Sequence, residues 1–306
     1  MKKFRLFTTF VATAVAAASF MVGGCAKDTN QVNKKGVPEA EEATTEYKIN
    51  LDKKDIDKLG REIGIAHNNI LFAMYNNSEI EGMNAKDLCF YVHDYLTANI
   101  DEMGFELLPD YFHQVNILGD GVAEMYSNIG TLIEGNGSEM ILPEDADLEY
   151  IKNSMNEYYD FIYNTLLESN SYDEFENACM MRLKEMCDGT QSLNEYFYMC
   201  ACGNVTFASF CAWASIYSGG TDAKGLCNWI KEKYQAVKEF VKEKIVDPIH
   251  DIVNADLCGG AIGCATGLAI GAGVAFGTGQ VYAPVVGIVA GGVVGAATGS
   301  IYRALN

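Results

Sequence analysis

The stretch GGAIGCATGLAIGAGVAFGTGQVYAPVVGIVAGGVVGAATGS, residues 259–300, has a small residue at every fourth position. Steps of four from Gly259 land on glycine or alanine at eleven successive positions. Residues four apart lie on the same side of an α-helix, so this spacing predicts helices with one flat face of small residues. Such a face lets two helix backbones approach closely.

The run is interrupted once, close to residues 279–284. Gly279 suits the end of one helix, and Pro284 suits the first turn of the next. We therefore predict two helices, residues 257–279 and 284–302, paired as an antiparallel hairpin. The valine-rich residues 285–295 also suit a strand, but the period of four favours helix. We name the predicted contact the glycine seam; it consists of Gly259, Gly263, Gly267, Gly271, Gly279, Gly287, Gly291, Gly295 and Gly299.

Residues 257–302 carry no charge and hold thirteen of the 30 glycines. An interior glycine costs a helix about 1 kcal/mol relative to alanine, so close packing must offset the total. The first helix is long enough to span a bilayer and the second barely so. This tail resembles the glycine-zipper segments of bacteriocin-like and other membrane-inserting bacterial proteins. The resemblance covers about the last 46 residues, and it implies contact with a membrane or with another copy.

The first 25 residues read as an export signal. Lys2, Lys3 and Arg5 precede the apolar run 6–21, and Val22-Gly23-Gly24-Cys25 follows. A charged start, a short apolar core and small residues before a cleavage site are typical of a secretory signal. The end of this segment resembles the lipobox of bacterial lipoproteins, although Val22 and Gly23 replace commoner residues. The resemblance implies removal of residues 1–24 and lipidation of Cys25; the alternative is an ordinary secretory peptide.

Residues 25–50 are polar and nearly devoid of large apolar side chains. Such composition cannot bury enough surface to order a chain, so we predict a disordered tether between a lipid anchor and the first domain.

The charge of the chain excludes one class of partner. The net charge is −19, and residues 101–195 contain 21 acidic side chains against three basic ones. Nucleic-acid binding needs a basic face, so we expect no nucleic-acid partner. Residues 143–150, PEDADLEY, are the best calcium candidate, but they lack EF-hand spacing. Acidic residues at a helix N-terminus explain them more simply, and we predict no metal site.

Residues 51–254 are predicted to form an acidic all-α domain. Apolar residues recur at intervals of three and four, as in Ile56, Leu59, Ile63 and again in Met155, Tyr158, Ile162. Each such stripe gives one helix a buried face. The predicted fold class is therefore all-α, a helical bundle domain followed by a Gly/Ala-rich helical hairpin in residues 255–306.

Two helical segments of this domain permit a second interpretation. Residues 196–221 are uncharged and long enough to span a membrane, although their serine, threonine and asparagine favour a central bundle helix. Residues 228–253 form an amphipathic helix rich in lysine. This helix suits either an anionic membrane surface or an ordinary bundle position with a solvated face.

The sequence contains no recognisable catalytic motif. His67 and His93 each lie in a helical stripe, where a packed histidine is commoner than a catalytic one. Cysteine spacing does not match a zinc ribbon, and most cysteines suit a core, with one or two disulfides as an open alternative. The ten cysteines are Cys25, Cys89, Cys179, Cys187, Cys200, Cys202, Cys211, Cys227, Cys258 and Cys264. We therefore expect no catalytic residue and no cofactor.

The sequence as a whole predicts a non-enzymatic lipoprotein of the bacterial cell envelope, periplasmic or surface-exposed. Its partners would be the lipid bilayer, reached through lipidated Cys25 and through the hairpin, and a second copy in a homo-oligomer. The alternative is a bacteriocin-like membrane-permeabilising protein in which the helical domain shields the hairpin.

Overall fold

A computed structural model describes the middle and the end of the chain. The described residues are 51–75, 77–106, 121–135, 148–220, 223, 225–244, 246–278 and 283–306. Cys25, the predicted tether and Gly279 lie outside them. Within the described residues the chain is helical and contains no strand, so the predicted all-α class is confirmed.

Nine α-helices occur in the described part of the chain, together with the short 3₁₀ helices Ser78–Ile80 and Ile100–Glu102. In chain order the α-helices are α1 (Lys53–Tyr75), α2 (Ala85–Ala98), α3 (Gly121–Gly135), α4 (Leu148–Glu168), α5 (Tyr172–Asp188), α6 (Leu193–Tyr217), α7 (Leu226–Lys244), α8 (Val246–Thr278) and α9 (Ala283–Leu305).

Side-chain caps begin several of these helices. Ser192 accepts a hydrogen bond from the backbone N–H of Glu195 at 3.1 Å, and Ser171 does the same for Glu174 at 3.3 Å. Asn84 caps α2 by accepting from the N–H of Asp87 at 2.8 Å. Each bond satisfies a backbone donor that the first helical turn leaves without a partner.

Two helices occupy the centre of the bundle. Helix α6 is buried along nearly its whole length, and α9 is buried from Ala283 to Ile301 without interruption. Helix α1 packs along α6, with Gly60 and Gly64 against Cys200 and Asn204. Helix α9 packs against α1, α2 and α3 in addition to α8. A helix that is apolar on all sides can be stable in water only when it is enclosed in this way.

Both central helices have the length and composition of a membrane span. Among the described residues, α6 and α9 are the two that meet this criterion, and 94% of the most apolar stretch of each is buried. The core helix of a bundle has the same composition as a membrane helix. Of the predicted segment 196–221, residues 196–217 lie in α6 at the centre of the bundle, the position that the sequence favoured over a membrane span.

Helix α7 keeps its apolar face inside the protein. Ile230, Tyr234, Val237 and Val241 are buried, and the lysine-bearing side faces solvent. The Nζ of Lys231 lies 2.8 Å from an oxygen of Asp173. The predicted single helix 228–253 is thus wrong in extent, because α7 ends at Lys244 and residues 246–253 begin α8. In α7 the apolar face lies inside the bundle and is not available to a membrane surface.

The first tail helix differs from the prediction in where it begins. Helix α8 starts at Val246, eleven residues before the predicted start at Leu257, and the preceding helix ends at Lys244. Pro248 accounts for this starting point, because it lies in the first turn of α8. Proline is tolerated there, since the N–H groups of the first turn have no intrahelical partner. The charged beginning of α8 and its uncharged remainder therefore form one continuous helix.

Candidate functional site

The glycine residues of α8 and α9 lie opposite each other in antiparallel register. A Cβ atom added to Gly259 would overlap the carbonyl oxygen of Gly295, and one added to Gly295 would overlap that of Gly259. Gly263 and Gly291 are related in the same way, one turn further along the hairpin. Because each glycine touches the partner's backbone, a larger residue at either position requires the helices to separate.

The same contact extends to both ends of the described hairpin. Gly267 faces Gly287, and further toward the connection Gly271 faces Ala283. At the opposite end Gly299 faces Ala255, a residue outside the predicted seam. The structure thus brings eight of the predicted seam residues to one interface, and Gly279 lies outside the described residues.

Residues of three neighbouring helices also contact the hairpin. The thioether of Met125 on α3 lies close to Gly291, and the side chain of Thr298 lies beside the thiol of Cys89 on α2. Toward α6, the side chains of Cys202 and Cys264 line an internal cavity of about 10 Å³. The three neighbouring helices therefore separate this part of the hairpin from solvent.

A buried polar cluster holds the base of the hairpin. Asp256, the last charged residue before the uncharged run, is fully buried on α8. The hydroxyl of Ser209 on α6 donates a hydrogen bond to Asp256 Oδ2, and His67 Nε2 on α1 lies 3.4 Å from Asp256 Oδ1. The other ring nitrogen of His67 is 3.1 Å from Asn68 Oδ1. One carboxylate thus joins three helices.

This cluster has the residue types of a hydrolase triad but a different order. In a Ser–His–Asp triad the histidine lies between the other two and accepts the proton of the serine. Here the carboxylate of Asp256 is the central group, and both Ser209 and His67 are oriented toward it. All three side chains are fully buried, so a substrate has no access to them. The arrangement supports a structural role.

A second polar cluster lies where α1, α5 and α6 meet. The hydroxyl of Tyr196 donates to Asp57 Oδ1 at 2.6 Å, and the ammonium group of Lys184 donates to the Tyr196 oxygen. Burial, together with the bond to Asp57, holds the pKa of Tyr196 above its usual range. The phenol therefore keeps its proton at neutral pH and does not act as a base.

The cysteines of the described residues have the properties of core residues. The structure contains no disulfide within this part of the chain, and seven of the nine thiols are buried. Burial raises the pKa of Cys89 and that of Cys202 to about 12 in each case. A thiol rather than a thiolate is present at neutral pH, and only the thiolate is a good nucleophile. Within the described residues, no group of three or more potential ligands could hold a metal ion.

One open pocket of about 290 Å³ lies between α4 and α5. Its charged lining consists of Glu157, Arg182 and Glu185. An Arg182 nitrogen lies 3.6 Å from a Glu185 oxygen, so the guanidinium already faces a carboxylate. Glu157 is then the charge in excess, so the lining carries one net negative charge.

Sequence reasoning located the glycine contact but not the polar cluster at its base. His67, Ser209 and Asp256 are far apart in the chain, and no short motif connects them. The sequence feature that could have indicated this cluster is Asp256, an acidic residue directly before 46 uncharged ones. No protein-family model, no curated protein and no solved structure matches this chain.

Proposed function

We propose that this chain is a non-enzymatic lipoprotein of the bacterial cell envelope whose C-terminal hairpin associates with membrane after leaving the helical bundle. The export signal and the lipobox-like end at Cys25 support the location. The hairpin of α8 and α9 supports the membrane contact. The lipid on Cys25 would keep the protein at the bilayer, and residues 25–50 would provide the distance between the anchor and the bundle.

The observation that carries this proposal is the backbone contact between the paired glycines. Gly259, Gly263 and Gly267 each touch the backbone of a glycine on α9. Van der Waals packing contributes to contacts of this kind, and it also stabilises helix pairs in lipid. The hairpin can therefore leave the bundle as one unit and stay paired in a bilayer.

The enclosure of the hairpin determines how such contact would occur. Helix α9 is buried from Ala283 to Ile301, and α1, α2 and α3 cover it. Neither lipid nor a second copy can reach residues 283–301 while the bundle is closed. Membrane association or homo-oligomerisation through α9 therefore requires a conformational opening, and in this proposal the described structure is the stored state of that helix.

A membrane-permeabilising activity is the second candidate, and the lengths of the two helices favour it. Helix α9 has 23 residues, and the uncharged part of α8 covers residues 257–278. At 1.5 Å per residue each segment exceeds the ~30 Å hydrocarbon core of a bilayer. Two spanning helices in one hairpin are sufficient for insertion, and several hairpins together would be needed to line a pore.

Fractionation of the full-length protein tests the proposal. The wild type and Cys25→Ser would each be expressed with the native signal, and soluble and membrane fractions would be compared. We expect the wild type at the membrane and Cys25→Ser mainly in the soluble envelope fraction, since the hairpin is stored. Recovery of both proteins from the cytoplasm would contradict export, and wild-type protein that is exported but soluble would contradict lipidation.

The membrane contact itself requires a separate measurement. Purified Cys25→Ser protein would be mixed with vesicles of phosphatidylethanolamine and phosphatidylglycerol that contain a self-quenched dye. Co-sedimentation with the vesicles without dye release supports membrane association, whereas dye release supports the permeabilising alternative. Failure to sediment with vesicles, even after mild destabilisation with urea, would contradict both candidates.

A further inference from the structure

The open pocket between α4 and α5 is lined by one polar side of α4. The residues that α4 contributes are Tyr150, Asn153, Ser154 and Glu157. Because residues three and four positions apart lie on the same side of a helix, these four form one continuous stripe. A different stripe of α4, which includes Tyr158 and Ile162, is buried in the core. Packing of the bundle therefore does not account for the polar stripe.

The buried part of the pocket contains a hydroxyl group that is available to a ligand. Ser154 from α4 and Met186 from α5 both line the pocket, and each is only 8% exposed. Within the described residues, the Ser154 hydroxyl makes no hydrogen bond. Polar side chains buried to this degree usually have a partner. A group that enters the pocket can provide one.

The rim of the pocket brings an aromatic ring to the end of a helix. Tyr150 is 43% exposed, and its hydroxyl oxygen lies 3.8 Å from the position that a Cβ atom on Gly189 would take. Gly189 is the C-cap of α5. The carbonyl groups at a helix C-terminus carry a partial negative charge, and the face of an aromatic ring also attracts cations. Both features of the rim favour a positively charged ligand.

The charged side chains of the lining favour the same kind of ligand. Arg182 already has two partners, since one of its nitrogens lies 3.6 Å from a Glu185 oxygen and its guanidinium carbon lies 6.0 Å from the centre of the Phe161 ring. Within the described residues, Glu157 takes part in no ion pair. Glu157 is therefore the negative charge that a ligand would neutralise.

We propose that this pocket binds a small primary amine, whose ammonium group is held by Glu157 and Ser154 beside the ring of Tyr150. An ammonium group has three N–H donors and no acceptor. The Glu157 carboxylate, the Ser154 hydroxyl and the side-chain carbonyl of Asn153 supply acceptors from the same side of α4. Met186 offers an apolar contact to a short alkyl chain. The site lies in the bundle and does not depend on the proposed envelope location.

The size and the ligand groups of the pocket narrow the choice of cation. A volume of about 290 Å³ is at the lower end of the range for ligand pockets, so a short aliphatic amine is the appropriate size. A calcium ion needs roughly six to eight oxygen ligands. The lining supplies only two carboxylates, of which that of Glu185 faces Arg182. A free amine and the ethanolamine headgroup of a phospholipid share the ammonium chemistry that the pocket selects.

Isothermal titration calorimetry of the full-length protein with putrescine tests this site. We expect binding at a single site that weakens as salt is added, because Glu157 is exposed to the screening ions of the solvent. The uncharged diol of the same chain length should not bind. Choline should bind more weakly than putrescine, because its quaternary nitrogen has no N–H donor.

Two matched variants of α4 separate the pocket from the general negative charge of the chain. Glu157→Gln keeps the shape of the side chain and removes its charge, so we expect putrescine affinity to fall about tenfold or more. Glu168→Gln makes the same change at an exposed position at the end of α4, outside the pocket, and should bind like the wild type. Circular dichroism confirms that each variant is folded.

A third variant should change the affinity in the opposite direction. Arg182→Gln removes the cation that faces Glu185 and makes the lining more negative. Putrescine should therefore bind more tightly to this variant than to the wild type. Weaker binding to Arg182→Gln, in a variant that is still folded, would contradict the assignment of a cation to this pocket.

Competition with vesicles distinguishes the two sources of the ammonium group. Displacement of putrescine by phosphatidylethanolamine vesicles, but not by phosphatidylcholine vesicles, would support a lipid headgroup, and lack of displacement by either would support a soluble amine. Equal losses in Glu157→Gln and Glu168→Gln, equal affinity for choline and putrescine, or no binding of putrescine would overturn the inference. Failure of the proposed lipidation or export would leave these measurements unchanged.

Discussion

Gly263 on α8 and Gly291 on α9 contact each other so closely that a Cβ on either would overlap the carbonyl oxygen of the other. The hairpin is therefore built on backbone contact, and the two helices have no space for even one added methyl group at this level. The neighbouring pairs Gly259–Gly295 and Gly267–Gly287 repeat the relationship one turn away on either side.

The first prediction concerns this contact. Gly→Ala normally stabilises a helix by about 1 kcal/mol, because alanine loses less backbone entropy. We expect Gly263→Ala to have the opposite sign and to lower the free energy of unfolding by about 2–4 kcal/mol, since two backbones must separate. Gly291→Leu should abolish the native pairing. Urea denaturation monitored by circular dichroism measures both changes.

A matched control for the seam is Gly260→Ala. A Cβ at Gly260 would lie 3.2 Å from the Cβ of Ala296 and would not overlap backbone atoms. Its effect should stay within about 1 kcal/mol of the wild type. Equal effects of Gly260→Ala and Gly263→Ala would contradict the role assigned to backbone contact.

The second prediction concerns Asp256. Its carboxylate is fully buried and is held by Ser209 and His67. Asp256→Ala leaves those two groups without their buried partner, so we expect a loss of about 3–5 kcal/mol in the free energy of unfolding. Because α8 is then held less firmly to α1 and α6, vesicle binding should increase. Chemical denaturation and vesicle co-sedimentation measure the two effects.

The appropriate comparison for Asp256 is an exposed carboxylate on the same helix. The side chain of Asp251 is 59% exposed, and it lies 3.3 Å from a nitrogen of Arg303. Asp251→Ala should therefore cost less than about 1 kcal/mol. A similar cost for the two variants would show that the buried cluster does not stabilise the base of the hairpin.

The third prediction is a dependence of stability on pH. Burial lowers the pKa of His93 below the ordinary value of 6.5, although Asp94 partly opposes the shift. The unfolded state therefore binds the proton more readily than the folded state. The contribution of neutral His93 to the free energy of unfolding is complete above pH 6.5. It is lost as the pH falls through the lower pKa that His93 has in the folded protein.

Substitution of His93 isolates this contribution. His93→Gln should flatten the decrease in thermal stability below about pH 6.5, while His250→Gln, at a side chain that is 47% exposed, should leave it unchanged. Calorimetry across this pH range supplies the comparison. An unaltered pH dependence in His93→Gln would exclude His93 as the titrating group.

The fourth prediction uses two engineered disulfides. Thr298→Cys places a thiol beside native Cys89, and the bond would attach α9 to α2. Gly292→Cys places a Cβ 2.5 Å from the sulfur of native Cys264, and that bond would lie inside the hairpin. If the hairpin leaves the bundle as one unit, the first bond should abolish vesicle binding and the second should not.

Reduction provides an internal control for both locked variants. Dithiothreitol should restore vesicle binding to Thr298→Cys and leave that of Gly292→Cys unchanged. The double variant Cys89→Ser with Thr298→Cys cannot form the bond and should bind like the parent protein. Vesicle binding by oxidised Thr298→Cys would mean that the membrane contact does not require release of the hairpin.

Several features of the fold were accessible from local sequence patterns. The period of four identified the faces of α8 and α9 that meet, because the spacing of side chains along a helix is fixed by its geometry. The stripe through Ile56, Leu59 and Ile63 correctly marked the buried face of α1. Ser192 and Glu195 also have the spacing of a capping box, and they lie at the start of α6.

Other features of the fold could not be predicted from a local sequence pattern. The start of α8 at Val246 was missed because the change from charged to uncharged residues near Leu257 resembled a boundary, whereas a helix can continue through such a change. The cluster of His67, Ser209 and Asp256 depends on three helices that the sequence does not order in space.

The sequence by itself determined that the chain is helical and that α8 and α9 carry a flat face of glycine, because both properties follow from the geometry of one helix. Only the tertiary structure decided what surrounds that hairpin. A lipid bilayer and a bundle core are both apolar and both exclude water, so composition alone cannot distinguish them. The enclosing helices α1, α2 and α3 and the buried carboxylate of Asp256 place α9 and the base of α8 inside the bundle.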